Sequence, residues 1–326
     1  MLHHQRGGGH CCVTVLGHAQ SPPGSHTANI SHNMAHVKNL FCQENFQETH
    51  RNTIFRRKLL VPAHPDRVLT KDSRVFENLL NLEKVKKVTD YCESIQTEIA
   101  PHMRKIVTDW MLEVCEDQHC QPEVFFLAVN YLDRFLSLVN IKKSQFQLLA
   151  SVCILLSSKF SQVVPVTTDQ IVIYTDSSVS VEDVRKWEIF VLEVLQWELS
   201  TATANSFLQH FCTSFKVDDQ TKKQAENIAT MAMTEYNFLL AKDSVLAGAS
   251  LAAAIRNQIQ SSEEMIPIIT HISNTIKCNT KDLFICMYYL TNDDQYETKT
   301  KEMHEDGRPN TPDDMLNISQ TEITVL

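Results

Sequence analysis

Three apolar patterns follow one another between residues 103 and 160. In MRKIVTDWMLEVCEDQHC, the residues Ile106, Val107, Trp110, Met111 and Val114 recur at intervals of three and four, the spacing of one helix face. In QPEVFFLAVNYLDRFLSL, Val124, Ala128, Tyr131, Leu132 and Phe135 repeat that spacing. The third pattern, KKSQFQLLASVCILLSSKF, is apolar or small on every side over residues 148–156, which predicts a helix enclosed by other helices. It ends abruptly in Ser157, Ser158, Lys159 and Phe160. Two amphipathic helices and one enclosed helix are therefore expected in succession, with a charge placed where the enclosed helix emerges.

The pattern continues on both sides. Upstream, an amphipathic helix is predicted over 72–82, and Val85, Val88 and Tyr91 lead into the first unit. Downstream, VVPVTTDQIVIYT predicts a short helix entered through Thr168 and Asp169. Its run Ile171, Val172, Ile173 suits a strand, but the chain lacks the regular alternation and turn spacing of β structure. Ser180 and Asp183 stand in a capping arrangement before a helix over 181–195 that buries Val184, Trp187, Val191, Val194 and Leu195. A second set of five helices is predicted over 204–213, 219–240, 244–258, 264–275 and 281–290. Its third member, SVLAGASLAAAI, is again small and apolar all round, and Leu246 lies 97 residues after Leu149 of the first enclosed helix. The expected fold is all-α, a duplicated five-helix unit, each copy built round one small-residue helix.

Outside these units the periodicity stops. Residues 1–33 are rich in His, Gly, Ser and Pro and are expected to be disordered, with Met34 as an alternative start. From Asn292 the chain is polar to its end. The expected organisation is a disordered segment over 1–50, a first helical unit with its preceding helix over 51–200, a second over 201–291, and a disordered tail over 292–326.

Composition narrows the function. The chain has 326 residues, 43% hydrophobic and 21% charged, with a net charge of −9. An acidic balance speaks against direct nucleic-acid binding, which calls for a basic face. No apolar run reaches the roughly 18 residues of a membrane span, and the N-terminus has no signal-peptide pattern. The ten cysteines form no CxxC pair, which suits a reducing compartment. Cys115, His119 and Cys120 have no second ligand pair at matching spacing, so no metal is expected. Only Gly248 and Gly307 follow residue 24, which leaves no Gly-rich phosphate loop, and no GxSxG or HExxH motif is present. Glu113, Glu116 and Asp117 read as a solvated helix face, and Asp133 with Arg134 as a local structural ion pair. The expectation is a non-catalytic binding protein that needs no cofactor.

MRKIVTDWMLEV, NYLDRFLS and SSKF, in this order, resemble the first cyclin box, and the likeness is nearest to a D-type cyclin. It continues through VPVTTDQIVIYTDSSVSVEDVRKWEIFVLEVLQWEL and so covers at least residues 103–199. The resemblance implies two tandem cyclin boxes and a regulatory subunit that binds and activates a cyclin-dependent protein kinase at the G1/S transition. It implies that Lys159 and Glu188 contact the kinase, with Phe160, Leu192, Trp197 and Leu199 supplying apolar contacts nearby. Cyclins usually place acidic residues after this lysine, whereas Ser161 and Gln162 stand here. Met103, Ile106, Val107 and Trp110 match the family's docking patch for substrate and inhibitor peptides, and Glu113 and Gln147 the positions that recognise the peptide's basic residue. Leu40, Cys42 and Glu44 form Leu-x-Cys-x-Glu, which in D-type cyclins docks retinoblastoma-type pocket proteins. Thr311, before Pro312, resembles the tail site whose phosphorylation marks such cyclins for export and destruction. The partners implied are the kinase, a pocket protein and kinase-inhibitor proteins, with no nucleic acid and no membrane; the location implied is nucleus and cytoplasm. The alternative on the same fold is a transcription adaptor that activates no kinase.

Overall fold

The computed structural model describes residues 72–85, 88–257 and 262–291. Leu40, Cys42, Glu44, Met34 and Thr311 lie outside the described residues. Within them the chain is helical and contains no strand.

Helix α1 (Ser73–Val85) and the single turn α2 (Tyr91–Ser94) precede five helices: α3 (Pro101–Asp117), α4 (Pro122–Leu136), α5 (Phe146–Ser161), α6 (Thr168–Tyr174) and α7 (Val181–Val194). Proline opens α3 and α4 at a position whose N–H has no intrahelical partner. Thr167 caps α6 in a reciprocal box with Gln170, one residue earlier than the sequence reading placed its entry. Ser180 caps α7 by accepting from the Asp183 N–H. The second five are α8 (Ala204–Ser214), α9 (Asp219–Thr234), α10 (Asp243–Arg256), α11 (Ser262–Ile276) and α12 (Thr280–Thr291).

The two enclosed helices are the axes of the two halves. α5 packs against α3, α4, α6 and α7, and α10 against α8, α9, α11 and α12. Leu149 and Leu246 are both buried.

Three expectations are corrected. α4 is not amphipathic: every residue from Val124 to Leu136 except Asn130 is buried, because α8 and α9 of the second half cover the face α5 leaves open. The helix expected over 219–240 ends at Thr234, where Glu235 turns extended. Asp133 does not pair with Arg134. It takes the Nε and Nη2 of Arg104 at 2.9 and 2.8 Å, and the Tyr91 hydroxyl at 2.9 Å. A separate finding is that α1 precedes the first half in the sequence yet packs on the second. Phe76 lies 5.7 Å from Phe207 and 5.6 Å from Phe211, and Glu83 accepts from the Ser244 N–H at 2.7 Å.

Arg104 explains the end of α9. Its Nη1 donates to the Thr234 carbonyl and its Nη2 to that of Met233, both at 3.1 Å, and Thr108 Oγ1 adds a bond to Thr234 O. The last carbonyls of a helix lack intrahelical donors, so a buried guanidinium from one half satisfies the helix end of the other. Burial opposes the charge of Arg104, but the adjacent Asp133 carboxylate more than offsets it and holds the guanidinium protonated.

Candidate functional site

Lys159 lies on the last turn of α5 and Glu188 in the middle of α7. Two buried hydroxyls fix the emergence of α5: Ser157 and Ser158 bond back to the carbonyls of Ile154 and Leu155. Ser158 Oγ also accepts from the Val166 N–H at 3.1 Å, which ties down the loop leaving the helix. α7 is held from below by an aromatic triangle of Phe135, Trp187 and Phe190, with ring centroids 5.5–6.2 Å apart.

Across this frame Lys159 Nζ meets Glu188 Oε1 at 2.7 Å. The pair is unequal: the lysine side chain is 46% exposed and the glutamate 15%. Phe160 beside it is 51% exposed and Trp197 60%, whereas Leu192 is only 6% exposed. Leu192, expected among the surface contacts, is therefore a core residue beneath the surface. Leu199 is half-buried, and its carbonyl accepts the Tyr131 hydroxyl at 2.9 Å. An ammonium, a carboxylate and two uncovered aromatic rings thus gather where α5 ends against α7, the arrangement of a recognition surface rather than a reaction centre.

A second apolar surface lies on α3. The stripe read from the sequence is divided by the fold. Met111 and Val114 are core, together with Arg104, Thr108 and Cys115, while Met103, Val107 and Trp110 are half-buried and Ile106 is 65% exposed. Glu113 is exposed one turn after Trp110 on the same helix. Gln147 is exposed on the first turn of α5, which packs on α3, and its Oε1 accepts from Ser178 Oγ at 3.4 Å. The patch presents half-buried and exposed apolar side chains with a carboxylate one turn away.

Sequence reasoning missed Arg104, Lys105 and Arg134 as tertiary anchors. Lys105 bridges to Glu235 at 2.8 Å and to Thr234 Oγ1 at 2.9 Å. A signal existed for Arg104. It shares the i, i+4, i+7 series of Thr108, Met111 and Cys115, so a charge stands on the buried face.

Comparison with known proteins agrees with this architecture. Residues 74–200 match the family model "Cyclin, N-terminal domain" and 202–307 the model "Cyclin, C-terminal domain". The human G1/S-specific cyclin-D3 is 41% identical over 221 residues, 65% of this chain and 76% of that protein. The G1/S-specific cyclin-D1 of Xenopus laevis is 37% identical over 233 residues, 69% of this chain and 80% of the relative. Among solved structures, a viral cyclin from herpesvirus saimiri superposes with a TM-score of 0.61 at 22% identity, covering 67% of this chain and 95% of that one. At that identity the likeness shows the fold.

Proposed function

The chain belongs to the cyclin family, with D-type cyclins as relatives, and from that premise we propose that it binds and activates a cyclin-dependent kinase at the G1/S transition. It is a regulatory subunit and performs no reaction itself. A protein kinase transfers phosphate only when the Lys of its β3 strand pairs with the Glu of its αC helix and its activation loop is placed. A stiff helical body that binds the active arrangement better than the inactive one shifts the kinase towards it, by its differential affinity and no more.

The observation that carries the reading is the Lys159–Glu188 pair on two rigid helices beside exposed Phe160. In the complex Lys159 and Glu188 hydrogen-bond to the kinase, and Phe160 and Trp197 exclude water from those bonds. Leu192 acts from beneath by fixing α7. Losing one partner of a desolvated charged contact costs about 2–5 kcal/mol. The expected outcome is that Lys159→Ala and Glu188→Ala each weaken capture of the kinase at least about tenfold. Wild-type capture by both variants would discard the assignment.

The α3 patch of Met103, Ile106, Val107 and Trp110, with Glu113 and Gln147, is proposed to dock substrate and inhibitor peptides. Leu40, Cys42 and Glu44 are proposed to engage a retinoblastoma-type pocket protein, and Thr311 to be a phosphorylation site. Action in nucleus and cytoplasm belongs to the same proposal. Support for these comes from the match of the motifs to D-type cyclins and, for the patch, from the exposure of Ile106.

A further inference from the structure

The turn that follows α7 has a left-handed backbone, as has the turn after α6 at Asp176 and Ser177. Gln196 has φ 54° and Trp197 φ 61°, two consecutive non-glycine residues in the left-handed region. A helix commonly ends on one such residue, most cheaply a glycine, which has no Cβ to clash. Here two side-chain-bearing residues take that conformation, and one is the largest side chain available. The indole is not tucked away to compensate; Trp197 is 60% exposed.

Main-chain bonds close the turn: Gln196 N to Glu193 O at 3.1 Å, Trp197 N to Leu192 O at 2.9 Å and Glu198 N to Leu195 O at 3.0 Å. Two further bonds come from inside the molecule. Arg134 Nη1 donates to Glu198 O at 3.0 Å, and Tyr131 Oη to Leu199 O at 2.9 Å. Both side chains leave α4 one turn apart and are buried. Burial works against the charge of Arg134 and lowers its pKa, with Tyr131 and then Glu198 offsetting only part of that. A buried guanidinium spent on a main-chain oxygen is an expensive way to end a helix. Strained backbone persists where the surroundings over-determine it, and it concentrates at binding surfaces.

We propose that Arg134 and Tyr131 are positioning residues that lock the 196–199 turn so that Trp197 is presented, already oriented, to the kinase. The proposal rests on the kinase-binding reading above. α4 is enclosed by α5 on one side and by the second half on the other, so the anchor stands on a buried helix. A pre-oriented indole loses little freedom on binding, which is how a single aromatic residue becomes a dominant contact.

The test is a double-mutant cycle on the full chain, titrated against a kinase that pairs with D-type cyclins. Trp197→Ala and Arg134→Gln are each expected to weaken affinity about tenfold or more. The double variant is expected to be no weaker than the weaker single variant, because without the indole the anchor has nothing to present. Arg134→Lys, which keeps a donor, is expected to recover most of the affinity. Additive losses, or wild-type affinity of Arg134→Gln, would overturn the proposal. Should Arg134→Gln fail to fold, Tyr131→Phe, which removes one hydroxyl, carries the same cycle. Lys159→Ala is the control. If it weakens binding while Trp197→Ala does not, only the turn proposal fails; if neither does, the kinase reading falls first.

Discussion

At the scale of single residues the most consequential side chain is Arg104. It is bidentate to Asp133, shares that carboxylate with Tyr91, and fills the carbonyl end of α9. A buried ion pair is tolerable when each of its groups finds partners, and removing one partner strands the other. Arg104→Ala leaves the buried Asp133 carboxylate without its cation, with only the Tyr91 hydroxyl to bond, and takes a donor from each of two helix-end carbonyls. The expected loss is about 3–5 kcal/mol of folding stability, read from urea unfolding. A loss under 1 kcal/mol, the range of exposed pairs, would contradict the network's role. The expectation of an Asp133–Arg134 pair failed for an elementary reason. Neighbours in a helix point about 100° apart; Asp133 faces α3, and Arg134 faces the turn after α7.

At the scale of elements, the two enclosed helices set the form of each half. α10 shows how closely its neighbours approach. A Cβ built on Gly248 meets Ile272 Cγ2 at 2.7 Å and Leu283 Cδ1 at 3.1 Å. The first is a β-branch methyl fixed close to its own backbone, so α11 itself has to yield. Alanine improves helix propensity by about 1 kcal/mol, whereas overpacking a filled core costs about 1–3 kcal/mol. Overpacking wins, and Gly248→Ala is expected to lower the unfolding midpoint. A raised midpoint would mean that α11 gives way freely. Element ends were the least legible feature. The polar–apolar pattern runs past Thr234 without a break, and what stops α9 is Arg104, 130 positions away in sequence.

At the scale of the whole molecule, the two halves and α1 border an open pocket of about 840 Å³ lined by Arg104, Asn130, Asp133, Glu83 and Asp243. Asp243 begins α10 and accepts from the Ala204 N–H at 3.0 Å, linking the starts of α10 and α8. Burial, with the nearby Glu83 carboxylate, pushes Asp243 up to about 7. Burial likewise raises Glu123, against the bonds it receives from Asn205, Thr203 and Ser206. A carboxyl whose pKa is higher folded than unfolded favours the folded state below its unfolded value near 4. That advantage is lost as pH rises towards 7. Denaturant titrations from pH 5 to pH 8 are therefore expected to show falling stability, and Asp243→Asn a flatter profile. Equal slopes for the two proteins would remove Asp243 from the account.

The sequence by itself determined the helical class and the duplication about two enclosed helices. These are legible because helix periodicity is local: a side chain's direction depends on its neighbours within two turns. Only the tertiary structure decided that α1 rests on the second half, that Arg104 completes α9, that Leu192 lies beneath the surface, and that Arg134 reaches Glu198. Each joins residues 64 to 161 positions apart or turns on what another helix covers. No spacing rule along one helix contains the angle at which a second helix crosses it.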